Sequence, residues 1–404
     1  MTDEARARFH RRLRDDTLAL REALADGSAR AAERALSLTL PVWCRGSRGW
    51  QVAHVQQGCG DWGAQAFTRL AASLGGEVGD GLALTTLPGL PAAVDVDEPD
   101  PEEVAARHTL ATAMTAAPGG PSAPFSQLFP LRVCLSLEPG RAADPYNAAV
   151  AASSLVVAAG GGLPERVGGG EVADVATAIL AALRFGSGET RQLRAGIGAG
   201  YGRDDLYWQF VSNRQHHPVL AGTVAAAPED AFAALRYHDA TVWRWQRARV
   251  TIHGGVDVRY ALETRLLAPG PTVTDTVALV AFWVGLVHGL MDQHPPARLV
   301  FDDAEANLRT AVRRGLAGWV SWFGRKRQLA DVVIEAAEGP ADEGLARLGV
   351  VAAERREWLG IVAERARTGR DLRTWFSGRP SDERVEALSE HAATGAPVHT
   401  WSPG

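Results

Sequence analysis

A carboxylate and a guanidinium lie two residues apart in a stretch whose other residues are typical of a buried strand. Glu263 and Arg265 belong to the run VRYALETRLL, and the segment before it carries Trp243, Trp245 and Arg247. Residues two apart on a strand share one face of the sheet. The pair is therefore either an ion pair that braces the sheet or a component of a site for an anionic group, because a guanidinium binds carboxylates and phosphates through two parallel hydrogen bonds.

A second strand that bears polar groups is predicted at LRVCLSLEPG, which alternates polar and apolar residues and stops at Pro-Gly. Ser136 and Glu138 occupy alternate positions on it. We expect residues 130–138 and 240–268 to form strands of one antiparallel sheet. The side chains expected to open together on a concave face of that sheet are Glu263, Arg265, Arg247 and Ser136. The double glycine after His253 predicts a hairpin turn between the two halves of the longer segment.

Helices must pack on this sheet, and apolar periodicity with capping residues predicts several of them. We expect them at residues 3–37, 62–74, from Asp100 onward, 144–159, 171–184, from Asp275 to Leu290, and filling residues 303–366. The segment RRGLAGWVSWFGRKRQ is predicted to be a basic amphipathic helix. Strands grouped with helices, without regular alternation, indicate an α+β fold built on an antiparallel sheet.

Composition excludes several classes of function. The chain of 404 residues has a net charge of −5, which favours neither nucleic acid nor an anionic membrane surface. Lys326 is its only lysine, so neither a Walker-type phosphate loop nor a Schiff-base lysine is expected. Three scattered cysteines predict no disulfide framework. The charged N-terminal residues do not resemble a signal peptide, and the apolar stretch 277–290 is too short to span a bilayer, so we expect a soluble, cytoplasmic protein.

Two further features are expected to be structural. GGGLPERVGGG follows a predicted helix rather than a strand, so it lacks the context of a nucleotide-binding loop. His216 and His217 are neighbours, and neighbouring side chains on an extended chain face apart. We therefore expect surface histidines there rather than a metal pair.

Four sequence elements together resemble the glutamate–cysteine ligase-like carboxylate–amine ligases, whose catalytic domain is akin to that of glutamine synthetase. They are the Trp-x-Trp-x-Arg element, the Glu-x-Arg strand, the Pro-Gly-Pro-Thr turn that opens a buried helix, and RAGIGAGY from Arg194. RARTGRDLRTW, downstream, is also similar. The resemblance covers about residues 190 to 378. It implies one ligase-like domain over 1–404, with a diverged N-terminal region (1–120), a sheet core (121–300), a helical region (301–380) and a tail (381–404).

The resemblance implies an ATP- and Mg²⁺-dependent ligation of a small-molecule carboxylate, such as an amino acid, to an amine through an acyl phosphate. In such a reaction Glu263 and Glu138 would be metal ligands, and Arg265 and Arg247 would neutralise developing charge. The residues expected to contact the cofactor are Arg194, Trp243, Trp245 and Ser136. No nucleic-acid or membrane partner is implied, and the oligomeric state is left open.

One departure from the family pattern leaves other functions open. The family's N-terminal strand with glutamates at alternate positions has no counterpart that we can find in LTLPVWCRGSRGWQVAHV or GLALTTLPGLPAAVDVD. Two magnesium ions need several carboxylate oxygens. The alternatives are a catalytically degenerate relative, which binds a small molecule or a partner protein without ATP chemistry, and a pocket recruited to a different reaction.

Overall fold

The strands of the protein lie mainly in its first two thirds. The computed structural model describes residues 2–31, 36–46, 49–55, 131–161, 166–167, 170–171, 195–198, 200–203, 205–253, 257–268, 270–377, 391 and 394–402. The strands in chain order are β1 (Arg30–Ala31), β2 (Leu36–Gly46), β3 (Gly49–Val55), β4 (Leu131–Ser136), β5 (Arg166–Val167), β6 (Gly170–Glu171), β7 (Ala195–Gly196), β8 (Trp243–Arg244), β9 (Gln246–His253), β10 (Asp257–Leu267), β11 (Trp319–Trp322) and β12 (Arg325–Gln328).

Strand β10 is the centre of a six-stranded sheet. Its antiparallel partner β9 follows it from Asp257 to Thr264 along one edge. On the other edge it pairs with antiparallel β4 and with the short parallel strand β1. Strand β2 lies beside β4, and β3 forms a hairpin with β2. The expected pairing of segments 130–138 and 240–268 in one sheet is confirmed, and the fold is a mixture of helix and sheet.

Helices dominate the second half, and the helix Ala143–Gly160 packs on the central sheet. In chain order they are α1 (Asp3–Ala25), α2 (Ala143–Gly160), α3 (Tyr207–His216), α4 (Ala221–Ala226), α5 (Ala233–Ala240), α6 (Val273–Leu290), α7 (Pro295–Arg298), α8 (Phe301–Arg314), α9 (Leu329–Ala336), α10 (Asp342–Arg347), α11 (Ala352–Thr368) and α12 (Leu372–Ser377). A π-helical segment, Ala337–Ala341, joins α9 to α10.

Helix α6 is the centre of the helical layer, and it packs on α2, α10, α11 and the π-helical segment. Thr272 starts it, because its hydroxyl oxygen accepts a hydrogen bond from the backbone N–H of Asp275 at 3.1 Å. On its other side, the glycines of α6 allow the backbone of the π-helical segment to approach very closely. A Cβ on Gly289 would lie 1.8 Å from the carbonyl oxygen of Pro340. The stretch from residue 274 to 293 is long and apolar enough to cross a membrane by length and composition, but 89% of its apolar 18-residue window is buried inside the protein. The packing is that of a core helix.

The segment from residue 313 to 328, which we expected to be a basic amphipathic helix, contains a β-hairpin instead. Strands β11 and β12 pair antiparallel, with Trp322 opposite Arg325. Phe323 and Gly324 form the two-residue turn, with φ angles of +48° and +76°. Positive φ at both positions gives the turn a twist that matches the paired strands, whereas a helix requires negative φ throughout. The guanidinium of Arg298 stacks over the Phe323 ring at 4.0 Å and holds this turn.

The other helix predictions have mixed outcomes. The helices predicted at 144–159 and from Asp275 to Leu290 are confirmed, whereas the one predicted at 3–37 ends at Ala25 and is followed by strands. The Asp26 side chain accepts a hydrogen bond from the Ser28 N–H, a local turn that competes with further helix. The helices predicted at 62–74, from Asp100 and, beyond its first residue, at 171–184 lie outside the described residues, as does the double-glycine turn after His253.

Candidate functional site

The charged residues singled out in the sequence lie on one face of the central sheet. Arg247 is opposite Glu263 on β10, and Glu263 is opposite Cys134 on β4. One pleat away, Ala261 is flanked by Ser136. Since alternate residues share a face, the register places all the predicted side chains of this set on the same side of the sheet. The charged side chains are not open to solvent there, since Glu263 is 0% exposed and Arg265 is 1% exposed, whereas Ser136 is half-buried.

Glu263 is the centre of an ion network. Its Oε1 accepts hydrogen bonds from Arg247 Nε at 2.8 Å and from Arg265 Nε at 2.5 Å. Its Oε2 lies 3.6 Å from Arg249 Nη1 and 3.8 Å from the Cys134 Sγ. One carboxylate therefore contacts three guanidinium groups. The pairing expected from the Glu-x-Arg spacing is present, but two further arginines join it.

Asp239, at the end of helix α5, extends the network. Its Oδ2 lies 3.3 Å from Arg247 Nη1, and its Oδ1 accepts a hydrogen bond of 2.6 Å from Asn213 Nδ2. Burial raises the pKa of Asp239, against the opposing effect of Arg247. Burial also disfavours the charge of Arg247, but the Glu263 and Asp239 carboxylates raise the pKa of Arg247 above its ordinary value. Among the residues that the structure describes, this network joins the three guanidinium groups to two carboxylates, Glu263 and Asp239.

The two tryptophans belong to the same structure. The guanidinium carbon of Arg265 lies 4.3 Å from the centre of the Trp243 ring, a cation–π contact. Trp243 and Trp245 pack edge to face, with ring centres 5.8 Å apart. The backbone N–H of Arg265 donates to the Trp245 carbonyl at 2.9 Å. Trp243 therefore fixes the plane of the Arg265 guanidinium, and both indoles are buried packing groups in the described structure.

The glycine-rich segment after Arg194 joins this site. Strand β7 pairs in parallel with β8, so Gly196 is opposite Arg244. The Asn147 side chain of helix α2 then holds Gly202, accepting from its N–H at 2.7 Å and donating to its carbonyl at 3.0 Å. A Cβ on Gly198 would lie 2.3 Å from the Tyr146 hydroxyl oxygen. Glycine is thus required for this loop to pass close to α2, and Arg194 itself lies outside the described residues.

Arg244 and His217 are buried polar residues that we did not predict for the site. Arg244 Nη2 lies 3.0 Å from His217 Nε2, and because a guanidinium only donates, the imidazole nitrogen accepts. Burial lowers the pKa of Arg244. The surface position expected for His217 is wrong, since it is 4% exposed. The feature of the sequence that indicates Arg244 is its position between two buried tryptophans. Because side chains alternate along a strand, its side chain lies on the face opposite to Trp243 and Trp245.

The described residues offer few ligands for a metal ion. They contain no group of three or more His, Cys, Asp or Glu residues that could hold one. Glu138 is exposed just beyond β4, where its carbonyl accepts the Arg141 N–H of a short 3₁₀ turn. Strand β2, the neighbour of β4, has no acidic residue, and Ser37 is the register partner of Cys134. In the described part of the sheet, the row through Glu263 therefore carries one carboxylate.

The Pro-Gly-Pro-Thr and Arg-Ala-Arg-Thr elements have a structural role on helix α6. Arg365 Nη2 contacts Asp275 Oδ1 at 2.5 Å, and both side chains are buried. Arg365 Nη1 also donates to the Ala159 carbonyl at the end of α2, at 2.7 Å. The Val398 N–H donates to the same Asp275 carboxylate, so the C-terminal residues dock here. The element after Glu-x-Arg thus ties α2, α6, α11 and the C-terminal segment together.

No protein-family model matches this chain, and no curated protein sequence matches it. What the fold and the site define is a mixed helix-and-sheet protein with a buried, arginine-rich cluster on its central sheet.

Proposed function

We propose that the protein is a cytoplasmic, ATP-dependent carboxylate–amine ligase with a glutamine synthetase-like catalytic fold. One observation supports this proposal most strongly. Three sequence elements that are up to about seventy residues apart, the glycine-rich segment, the Trp-x-Trp-x-Arg element and the Glu-x-Arg strand, contact one another around Trp243, Trp245 and Arg265. Three guanidinium groups around one buried carboxylate are also groups that such a ligase could use to bind anionic oxygens.

The proposed reaction has two steps. The γ-phosphoryl group of ATP passes to a carboxylate oxygen of the acid substrate, and ADP leaves. The amine then attacks the acyl phosphate carbon, the C–O bond to phosphate breaks, and the amine nitrogen loses a proton. Both steps accumulate negative charge on oxygen, which preorganised arginines stabilise. Arg265 and Arg247 would bind these oxygens, and the glycine-rich segment with Ser136 would border the same face.

ATP and Mg²⁺ fit the residues around Glu263 to different degrees. The three guanidinium groups of the arginine cluster suit a polyphosphate, because a guanidinium binds phosphate oxygens through parallel hydrogen bonds. Mg²⁺ fits less well, since Glu263 is the one carboxylate of its sheet row and is engaged by three arginines. In the proposed enzyme Mg²⁺ would enter on the phosphates of ATP, as is usual for this ion. We assign no step of the reaction to the metal.

The same observation favours a second candidate function. A carboxylate held by three guanidinium groups, beside strand β4, which has no acidic residue, suits a protein that binds a small acid without ATP chemistry. A carboxylate or phosphate ligand would then displace Glu263 from one arginine. This second candidate corresponds to the catalytically degenerate relative anticipated from the sequence.

Calorimetry with a non-hydrolysable ATP analogue separates the two functions. For the ligase we expect binding that requires Mg²⁺, together with ADP release on addition of glutamate and a panel of amines. The Arg265→Lys variant should lose both, because lysine lacks the planar fork. Arg347→Lys is the matched control, since Arg347 is an exposed arginine paired with Asp292. If the wild-type protein does not bind the analogue at millimolar concentration with Mg²⁺, the ligase proposal is wrong and the second function takes its place.

A further inference from the structure

A groove of about 550 Å³ lies on the surface between helix α11 and the π-helical segment Ala337–Ala341. Its floor is made of small residues of α11, Gly360 and Ala363. A Cβ placed on Gly360 would meet no atom within 4 Å, so there is open space above it. The groove contains none of the residues of the arginine cluster.

The charges at the two ends of the groove differ in sign. At one end Arg355 is balanced by Asp342, with Nε and Oδ1 2.7 Å apart. The neighbouring Arg356 is exposed and has no ion pair among the residues that the structure describes, which gives this end a positive charge. At the other end Arg367 contacts two carboxylates.

The acceptors of Arg367 are Glu338, whose Oε1 lies 2.7 Å from Nη2, and Glu364 on its own helix. Two carboxylates against one guanidinium leave this end negative. The side chains of these three residues are 46%, 60% and 50% exposed, so their mutual ion pairs contribute little free energy and exchange easily with a ligand. A ligand ammonium group can therefore take a place between Glu338 and Glu364.

The separation of the two ends sets the size of the ligand. Arg356, Gly360, Ala363 and Arg367 recur at intervals of three and four residues, so they lie on one face of α11. Eight residues separate Arg356 from Glu364, which is a rise of about 12 Å along a helix. An extended peptide advances about 3.3 to 3.6 Å per residue, so about four residues span this distance.

We propose that this groove binds a short peptide with free termini, of about four residues. Its carboxylate contacts Arg356, its backbone crosses Gly360, and its ammonium group lies between Glu338 and Glu364. This site is independent of the proposed ligase function, because it uses no nucleotide and none of the residues around Glu263.

Isothermal titration calorimetry with tetraglycine, without nucleotide, tests the ligand class. N-acetyl-tetraglycine lacks the ammonium charge, and tetraglycine amide lacks the carboxylate. We expect tetraglycine to bind and each blocked peptide to bind about fivefold or more weakly, the effect of one lost ion pair of about 1 kcal/mol. Equal binding of all three peptides, or no binding of tetraglycine at millimolar concentration, overturns the proposal.

Variants locate the site. Gly360→Leu fills the floor of the groove, so we expect no measurable binding of tetraglycine. The melting temperature should stay that of the wild type, because the added side chain meets open space and leucine favours helix. Arg356→Ala should weaken tetraglycine about fivefold. Arg313→Ala, an exposed arginine on α8 outside the groove, is the control and should bind like the wild type. Unchanged binding by both groove variants, or an equal loss in all three, overturns the assignment. If Gly360→Leu fails to fold, Arg356→Ala against Arg313→Ala decides.

Discussion

Replacing Glu263 by glutamine isolates the electrostatic role of the buried carboxylate. Glutamine has nearly the same shape, so the substitution leaves no cavity. It removes the negative charge that Arg247, Arg249 and Arg265 share. The Asp239 carboxylate, which contacts Arg247, still balances that one arginine. Three guanidinium groups are left around a neutral amide, whose N–H₂ end can accept nothing from them.

The expected loss of stability is large. Removing one partner of a buried ion pair costs about 3 to 5 kcal/mol, because the remaining charge stays desolvated. A globular chain has an unfolding entropy of about 2.1 cal/mol/K per residue, which is roughly 0.85 kcal/mol/K for 404 residues. The melting temperature of Glu263→Gln should therefore fall by about 4 to 6 °C.

Differential scanning calorimetry and urea denaturation measure this loss. Asp292→Asn is the matched control, since it removes the carboxylate of an ion pair whose side chains, Arg347 and Asp292, are 45% and 57% exposed. It should cost less than about 1 kcal/mol. A melting temperature for Glu263→Gln within about 1 °C of that of the wild type would refute the electrostatic reasoning, because the arginines would then not depend on Glu263.

Three further outcomes are expected. Arg265→Lys keeps the charge but loses the hydrogen bond from Nε to Glu263, so it should cost about 1 to 3 kcal/mol in urea denaturation, less than Glu263→Gln. Gly289→Ala should destabilise the fold by about 1 to 3 kcal/mol, the cost of overpacking, because its Cβ would collide with the Pro340 carbonyl oxygen. Its melting temperature should therefore fall, and a rise would contradict the close packing. Burial lowers the pKa of His288, so its contribution to stability is present above the unfolded pKa of about 6.5 and is lost as pH falls through the folded pKa. His288→Asn should flatten the dependence of melting temperature on pH between about 7.5 and 5.5, and an unchanged slope would show that His288 is not responsible.

The strands and the shared face of the candidate site were predictable from local patterns. The alternation in LRVCLSL and VRYALETRLL predicts two strands, and the structure has them at β4 and β10. Two-residue spacing puts Glu263 and Arg265 on one face because side chains alternate across a strand. The helix predicted from Asp275 is present as α6, but it starts two residues earlier, at Val273, because the Thr272 hydroxyl satisfies a free N–H of its first turn.

The hairpin at Trp319–Gln328 was not predictable in the same way. Spacing of its aromatic and basic residues also suits a helix, and the turn depends on Phe323 adopting a positive φ. A bulky residue rarely adopts this conformation, so the sequence carries little signal for it. Contacts from elsewhere, including the stacking of Arg298 over Phe323, stabilise the turn.

Sequence alone determined which residues carry charge and which face of β10 they occupy. It also determined that Lys326 is the only lysine, so neither a Walker-type loop nor a Schiff-base lysine is expected. Only the tertiary structure decided that Glu263 is surrounded by Arg247, Arg249 and Arg265, and that acid-free β2 lies beside β4. The physical reason is the range of the interactions. Alternation along a strand follows from the local backbone, whereas strand neighbours and register follow from pairings between distant segments, which no short stretch of sequence specifies.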